Sequence, residues 1–199
     1  MSTVVSNYLT IVSGLPRSGT SMMMRMLEQG GLEVLTDGER TPDDDNPNGY
    51  YEFEAVKQTR EDASWLEHSD GKAVKMIYRL LYDLPTDRSY RVLFMTRELE
   101  EVLASQRVML RRQGVTEDAV SDEQMAALFR ADLAKFRRWV AAQPHIELID
   151  VNYNEVQQNP ASQARRINEF LGGVLDVGAM AQVVDEALYR NRARPSRPR

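Results

Sequence analysis

One segment near the start of the chain has the residue types that bind an anion. It spans residues 11–27, IVSGLPRSGTSMMMRML, in which four residues separate Gly14 from Gly19 and a hydroxyl pair follows. This is the spacing of G-x-x-x-x-G-K-[ST], the phosphate-binding loop, except that Thr20 takes the place of the lysine. A strand that enters a helix through such a loop directs main-chain N–H groups at one point. We therefore expect a phosphate or sulfate site here.

The missing lysine argues against ATP or GTP chemistry, because that lysine supports the β- and γ-phosphates of the nucleotide. Arg17 supplies a positive charge elsewhere in the loop, and its planar guanidinium suits an oxyanion without any metal. The simpler alternative is a tight strand-to-helix turn with a capping serine.

A second segment, RVLFMTRELEEVLASQR, predicts a strand that ends at Arg97 and a helix that carries Ser105. The guanidinium and the hydroxyl can converge on one phosphate at the carboxyl end of the strand, where open α/β sheets bind ligands. The alternative for Arg97 is a surface ion pair with Glu100 or Glu101, with Ser105 an ordinary helix residue.

Together the two segments resemble the P-loop sulfotransferases, in which P-[KR]-S-G-T replaces the nucleotidase lysine. GLPRSGTSMM is similar to the loop that holds the 5′-phosphosulfate of 3′-phosphoadenosine 5′-phosphosulfate (PAPS). Residues 151–172, VNYNEVQQNPASQARRINEFLG, are similar to a later strand, turn and helix of that family. The resemblance implies a PAPS-dependent sulfotransferase whose cofactor-binding residues are Pro16, Arg17, Ser18, Gly19, Thr20, Ser21, Arg97, Ser105, Arg190 and Arg192.

The resemblance also implies few catalytic side chains, because sulfuryl transfer depends on positioning and electrostatic stabilisation. Arg17 is expected to stabilise the departing nucleotide, and Lys75 to reach the sulfuryl group. Many members carry K-T-H on the strand of Lys75 and use the histidine as base, but here Ile77 replaces it. We therefore expect a carboxylate base, Glu52 first and Glu54 second. The alternative is that both glutamates form the acidic first turn of a helix.

In the family a basic C-terminal segment closes over the 3′-phosphate and the adenine, which implies that role for Arg190 and Arg192. The alternative is a disordered, solvated tail, which we prefer from Arg194 onward because of its prolines. The acceptor is expected to be a small molecule with a hydroxyl or an amine, and its identity cannot be read from the sequence. The irregular segments 36–51 and 112–122 are expected to shape its pocket.

The composition excludes several other classes. The chain has no cysteine, and His68 and His145 lack metal-binding spacing, so no metal site is expected. The formal charge is −5 although the last ten residues contain five arginines, which argues against general nucleic-acid binding. Neither a signal-peptide pattern nor a membrane-length apolar run is present, which predicts a cytoplasmic protein without membrane association. No feature indicates the oligomeric state.

The elements that must position these residues alternate between short apolar and longer amphipathic runs. This predicts one α/β domain over residues 1–199, a P-loop NTPase-like three-layer fold with a largely parallel central sheet flanked by helices, and a basic tail from about residue 193. The predicted strands are residues 8–14, 72–77, 90–96 and 145–151. The predicted helices follow the glycine loop and cover residues 54–67, 98–112, 122–142, 160–171 and 177–188.

Two other functions fit parts of the sequence. A small-molecule kinase with an altered phosphate loop would use Asp150, which follows a predicted strand, but Thr20 and Arg97 stand where its lysine and metal-binding aspartate belong. A nucleotide-binding module without activity would explain the missing histidine at Ile77.

Overall fold

A computed structural model describes residues 7–38, 49–112, 114 and 121–185. Its strands are β1 (Leu9–Gly14), β2 (Glu33–Val34), β3 (Lys72–Lys75), β4 (Tyr90–Thr96) and β5 (Ile146–Asn152). Its α-helices are α1 (Thr20–Gln29), α2 (Leu99–Arg112), α3 (Asp122–Val140), α4 (Tyr153–Gln158), α5 (Pro160–Phe170) and α6 (Val177–Gln182). The five strands form one sheet in the order β2-β3-β1-β4-β5, and every described pairing is parallel.

Strand β1 is buried along its whole length, because it lies in the middle of the sheet with helices on both faces. Successive residues of a strand point to opposite faces. Leu9 and Ile11 accordingly join a core with Val102 of α2 and Phe136 of α3. Val12 joins the other core, which contains the methionines of α1 and residues of α4, α5 and α6. The predicted three-layer α/β fold with a parallel sheet is confirmed.

The strand register brings the candidate residues to one edge of the sheet. Gly14 of β1 pairs with Met95 of β4, Thr96 pairs with Asn152 of β5, and Lys75 of β3 pairs with Val12. Within the sheet, β2 and β3 lie to one side of β1, whereas β4 and β5 lie to its other side. Such a switch point opens a crevice at the carboxyl ends of the strands, where ligands bind.

Most of the predicted elements are confirmed within one to two residues, but the helix predicted at residues 54–67 is wrong. Two 3₁₀ helices, Glu54–Gln58 and Ser64–His68, occupy that segment. They are separated because the carboxylate of Asp62 accepts a hydrogen bond from the main chain of Ser64, which starts a new turn. The helix predicted at residues 177–188 ends at Gln182, and residues 186–188 lie outside the described part of the chain.

Three short elements were not predicted: β2, α4 and a 3₁₀ helix at Tyr78–Asp83. None of the helices in the described ranges has the length and apolar character needed to cross a membrane.

Candidate functional site

The loop between β1 and α1, residues 15–19, is bounded by glycines that other residues could not replace without a clash. Gly14 has φ +145, and a Cβ there would lie 2.6 Å from the carbonyl oxygen of Met95. Gly19 has φ +97, and its Cβ would lie 2.4 Å from Cδ2 of Tyr153. The loop therefore packs closely against β4 and against the ring that follows β5.

Inside the loop, Ser18 stabilises the turn. Its hydroxyl donates to the carbonyl oxygen of Leu15 at 2.7 Å, and its main-chain N–H donates to the same oxygen at 3.2 Å. The residue is buried and does not line the cavity described below. Thr20 and Ser21 open α1, where the first N–H groups of a helix have no acceptor within the helix. This is the arrangement that binds an anion.

Arg17 connects the two segments that the sequence suggested. Its backbone is left-handed, with φ 71, and its Nε donates to the hydroxyl of Ser105 at 2.9 Å. The neighbouring Pro16 carbonyl accepts from Gln106 at 3.5 Å. The structure thus places the glycine loop directly beside α2, although 88 positions separate Arg17 from Ser105 in the sequence.

Arg97 lies at the end of β4 with its guanidinium held from several directions. Its Nε donates to the carboxylate of Glu101 at 2.8 Å, and its Nη1 donates to the carbonyl oxygen of Arg17 at 3.2 Å. The guanidinium lies 4.4 Å above the ring of Tyr153. The ion pair that was the alternative interpretation of Arg97 does form, but it is buried, with side-chain exposures of 8% and 1%.

Lys75 lies at the end of β3, across β1 from Arg97, and donates from Nζ to the carbonyl oxygen of Tyr50. The hydroxyl of Ser21 donates to the same oxygen at 3.3 Å. The segment that carries Glu52 is therefore tied to both β3 and the start of α1. Its main chain is fixed further, because the carbonyl oxygen of Glu52 accepts hydrogen bonds from Thr36 and from the N–H of Asp37, each at 3.0 Å.

Tyr51, between the tied carbonyl and Glu52, has a left-handed backbone with φ 53. Its hydroxyl donates to the carboxylate of Glu28 on α1 at 2.6 Å. Burial, with the hydrogen bond to Glu28, raises the pKa of the Tyr51 phenol above its ordinary value. The phenol is thus a hydrogen-bond donor at neutral pH, and it anchors this segment on the first helix.

A cavity of about 680 Å³ lies among these elements at the carboxyl edge of the sheet. The residues of the glycine loop, α1, the end of β4, α2 and α4 that line it include Arg17, Gly19, Thr20, Ser21, Arg97, Ser105 and Tyr153. From β3 and the segments before and after it, the lining includes Glu52, Phe53, Val56, Lys75, Met76, Ile77 and Leu80. Ile77, at the position of the family's histidine, is 48% exposed.

The remaining candidate residues differ in their relation to the cavity. Glu54 also lines the cavity, but its carboxylate is half-exposed and pairs with Lys57 at 2.6 Å. Among the described residues, His68 and His145 precede β3 and β5, at the amino end of the sheet, and do not line the cavity. Arg190 and Arg192 lie outside the described residues. No cluster of three or more metal-binding side chains occurs in the described part of the chain.

The sequence did not single out Tyr153, Glu101 and Asn154 as site residues. Tyr153 lies under Arg97 and against Gly19, and burial raises the pKa of its phenol. Asn154 donates to both carboxylate oxygens of Glu101, at 3.3 and 3.4 Å. A signal existed for Tyr153 and Asn154, because they come soon after the end of a predicted strand, at the edge where ligands bind. No pattern distinguished Glu101 from the exposed Glu100.

The family model of the sulfotransferase domain matches residues 9–193. The chain belongs to this family, and the resemblance seen in its motifs is confirmed. Sulfotransferases of the family use PAPS as the sulfate donor. The match disfavours the kinase interpretation and agrees with Thr20 in place of the lysine.

Among solved structures, the chain is similar to retinol dehydratase, crystallised in complex with androsterone and the inactive cofactor PAP. The TM-score is 0.52 at 14% identity, over 92% of this chain and 65% of that one. The chain thus spans just under two thirds of that protein, and the likeness shows the fold. An unliganded sugar kinase from Janibacter sp. HTCC2649 matches with TM-score 0.42 and 13% identity, over 90% and 99% of the two chains. No curated protein matches by sequence.

Proposed function

We propose that this chain transfers the sulfuryl group of PAPS to a hydroxyl, or an amine, of a small-molecule acceptor. One observation carries the proposal: a single cavity is lined both by a phosphate-type loop with Arg97 and Ser105 and by Lys75 and Glu52. The first set suits an anionic nucleotide, and the second set supplies a cation and a carboxylate to the same cavity. An acceptor placed between the two sets would meet the groups that the reaction needs.

The donor set fits a nucleotide with two separate anionic groups. The N–H groups at the start of α1 and the positive end of its dipole favour a negative charge there, which suits the 5′-phosphosulfate. Arg97 and Ser105 lie beside that loop and line the same cavity, which suits the 3′-phosphate. PAPS carries these two groups on one ribose, whereas ATP carries its charge in one chain.

PAPS supplies the sulfuryl group, whose bond to the 5′-phosphate oxygen breaks as the bond to the acceptor oxygen forms. The loop N–H groups and Arg17 stabilise the negative charge that develops on the departing nucleotide. We assign the contact with the sulfuryl oxygens to Lys75, which lines the cavity at the end of β3. Glu52, which lines the cavity, accepts the acceptor's proton, because Ile77 has no group that can do so.

Transfer of radioactive sulfur from PAPS to a panel of alcohols, phenols, sugars and amines tests the proposal. We expect labelled product without added metal, and Glu52→Gln should lower its rate by at least roughly a hundredfold, since a general base contributes about that much or more. The matched control is Glu54→Gln, which should keep nearly the full rate. Full turnover in Glu52→Gln would remove Glu52 from the mechanism. Nucleotide binding without product from any acceptor would favour a module without activity.

A further inference from the structure

A buried carboxylate lies directly behind the candidate phosphate site. Glu101 is 3% exposed, in the first turn of α2, whereas its neighbour Glu100 has a side chain that is 69% exposed. Removing a carboxylate from water is costly unless charged or hydrogen-bonding partners compensate for the lost hydration. A negative charge is also unfavourable beside a site for a phosphate. For both reasons, a glutamate at position 101 needs a structural or functional explanation.

Two elements contribute contacts to Glu101. Arg97 Nε donates to one carboxylate oxygen at 2.8 Å, and the side-chain amide of Asn154 on α4 donates to both oxygens. Glu101 therefore links the end of β4 to the helix that follows β5. Arg97 and Tyr153 line the cavity, whereas Glu101 and Asn154 are not among the described residues that do. The carboxylate thus holds Arg97 from the side away from the ligand.

Three contacts fix the orientation of the Arg97 guanidinium. Glu101 holds Nε, the carbonyl oxygen of Arg17 accepts from Nη1, and the ring of Tyr153 covers one face. A planar guanidinium held at these places cannot rotate about its last bonds without losing a contact. Its orientation is therefore set before any nucleotide binds, which reduces the entropy cost of phosphate binding.

We propose that Glu101 is a positioning residue for Arg97, with Asn154 as its support, and that it sets the preference of this site for a nucleotide with a 3′-phosphate. This inference rests on the proposed function, in which Arg97 and Ser105 hold that phosphate. The pair of Arg97 and Glu101 is neutral as a whole. Recognition therefore depends on the direction of the N–H groups of Arg97 and on Ser105, more than on excess positive charge at Arg97.

The test compares the affinities of adenosine 3′,5′-bisphosphate (PAP) and adenosine 5′-monophosphate (AMP) by calorimetry on the full chain. The ratio of the PAP affinity to the AMP affinity isolates the contribution of the 3′-phosphate. In Glu101→Gln, the side chain loses its negative charge and one of its two acceptor oxygens, so it holds Arg97 less strongly. We therefore expect the ratio to fall roughly tenfold, the effect of one charged hydrogen bond. Glu101→Asp keeps two acceptor oxygens and should restore most of the ratio. The matched control, Glu100→Gln, should leave the ratio unchanged.

The other outcomes overturn the inference in distinct ways. A higher ratio in Glu101→Gln that comes from tighter PAP binding would mean that the carboxylate only repels the phosphate. An equal loss for both nucleotides would mean that Glu101 only supports the fold, and a selective loss for AMP would mean that it binds the 3′-hydroxyl. If Glu101→Gln does not fold, Asn154→Ala must show a smaller fall of the same sign. A wild-type ratio near one would refute the 3′-phosphate site itself, and thus the proposed function.

Discussion

At the scale of single residues, the backbone is unusual where the cavity is formed. Among the described residues, Arg17 and Tyr51 are the two non-glycine residues with positive φ. Arg17 lines the cavity, and Tyr51 lies between two residues that line it. A left-handed non-glycine residue costs about 1–3 kcal/mol, so contacts elsewhere must maintain it. The hydrogen bonds from Arg17 to Ser105 and from Tyr51 to Glu28 provide such contacts.

The packing of the loop at Gly19 can be tested by comparison with Gly31, which has nearly the same φ. Their φ values are +97 and +96, but a Cβ at Gly19 would meet Tyr153 at 2.4 Å, whereas at Gly31 it would have nothing within 4 Å. Both Gly→Ala variants should lose about 1–2 kcal/mol of unfolding free energy from backbone strain. Gly19→Ala should lose more, and should also lose PAP affinity, because the ring under Arg97 is displaced. Urea unfolding and calorimetry measure the two effects.

Equal losses of stability in the two glycine variants, with unchanged PAP affinity, would contradict this close packing of the loop against Tyr153.

At the scale of elements, the short helix α4 contributes more to the site than its length suggests. Its first two residues, Tyr153 and Asn154, contact Arg97 and Glu101. The side chain of Asn152 caps this helix by accepting from the N–H groups of Asn154 and Glu155, at 2.8 and 3.1 Å. The cap therefore holds the two residues that support Arg97.

Asn152→Ala should cost about 1 kcal/mol of unfolding free energy, the usual effect of losing an N-cap, and should weaken PAP binding because α4 becomes less ordered. Ser121→Ala is the matched control. It removes the cap of α3, where Ser121 accepts from the N–H of Gln124, and no described residue of α3 lines the cavity. The control should lose similar stability in urea and keep its PAP affinity in calorimetry. Equal PAP affinities in the two variants would show that α4 does not position the site.

The elements also show what the sequence could predict. Strands β1 and β4 and helices α2 and α5 follow apolar periodicity and glycine or proline signals, so their types and approximate bounds were predictable. The segment with Glu52 was not, because its shape depends on tertiary contacts such as Lys75 with the Tyr50 carbonyl. The sequence suggests an ion pair of Arg97 with Glu100 or Glu101. It does not predict that the pair is buried, because burial depends on the packing of α4 over Arg97.

At the scale of the whole molecule, the cavity joins residues from the ends of β1, β3 and β4 with helices that follow them. The parallel register brings these ends together, which explains why motifs distant in sequence form one site. In a parallel sheet the carboxyl ends of the strands lie at one edge. The sequence therefore predicts the fold class and the proximity of the loop to Arg97 and Ser105. The acceptor side depends on loops whose conformation no periodic pattern describes.

The most direct test of the account is a thermal-shift titration with PAP and with ATP, each with and without magnesium. At a hundredfold excess over its Kd, a bound nucleotide stabilises the fold by about 2.7 kcal/mol, which raises the Tm of a domain of this size by roughly 5–10 °C. We expect this shift with PAP, independent of magnesium, and a much smaller one with ATP. A shift that requires ATP and magnesium, with none from PAP, would contradict the account.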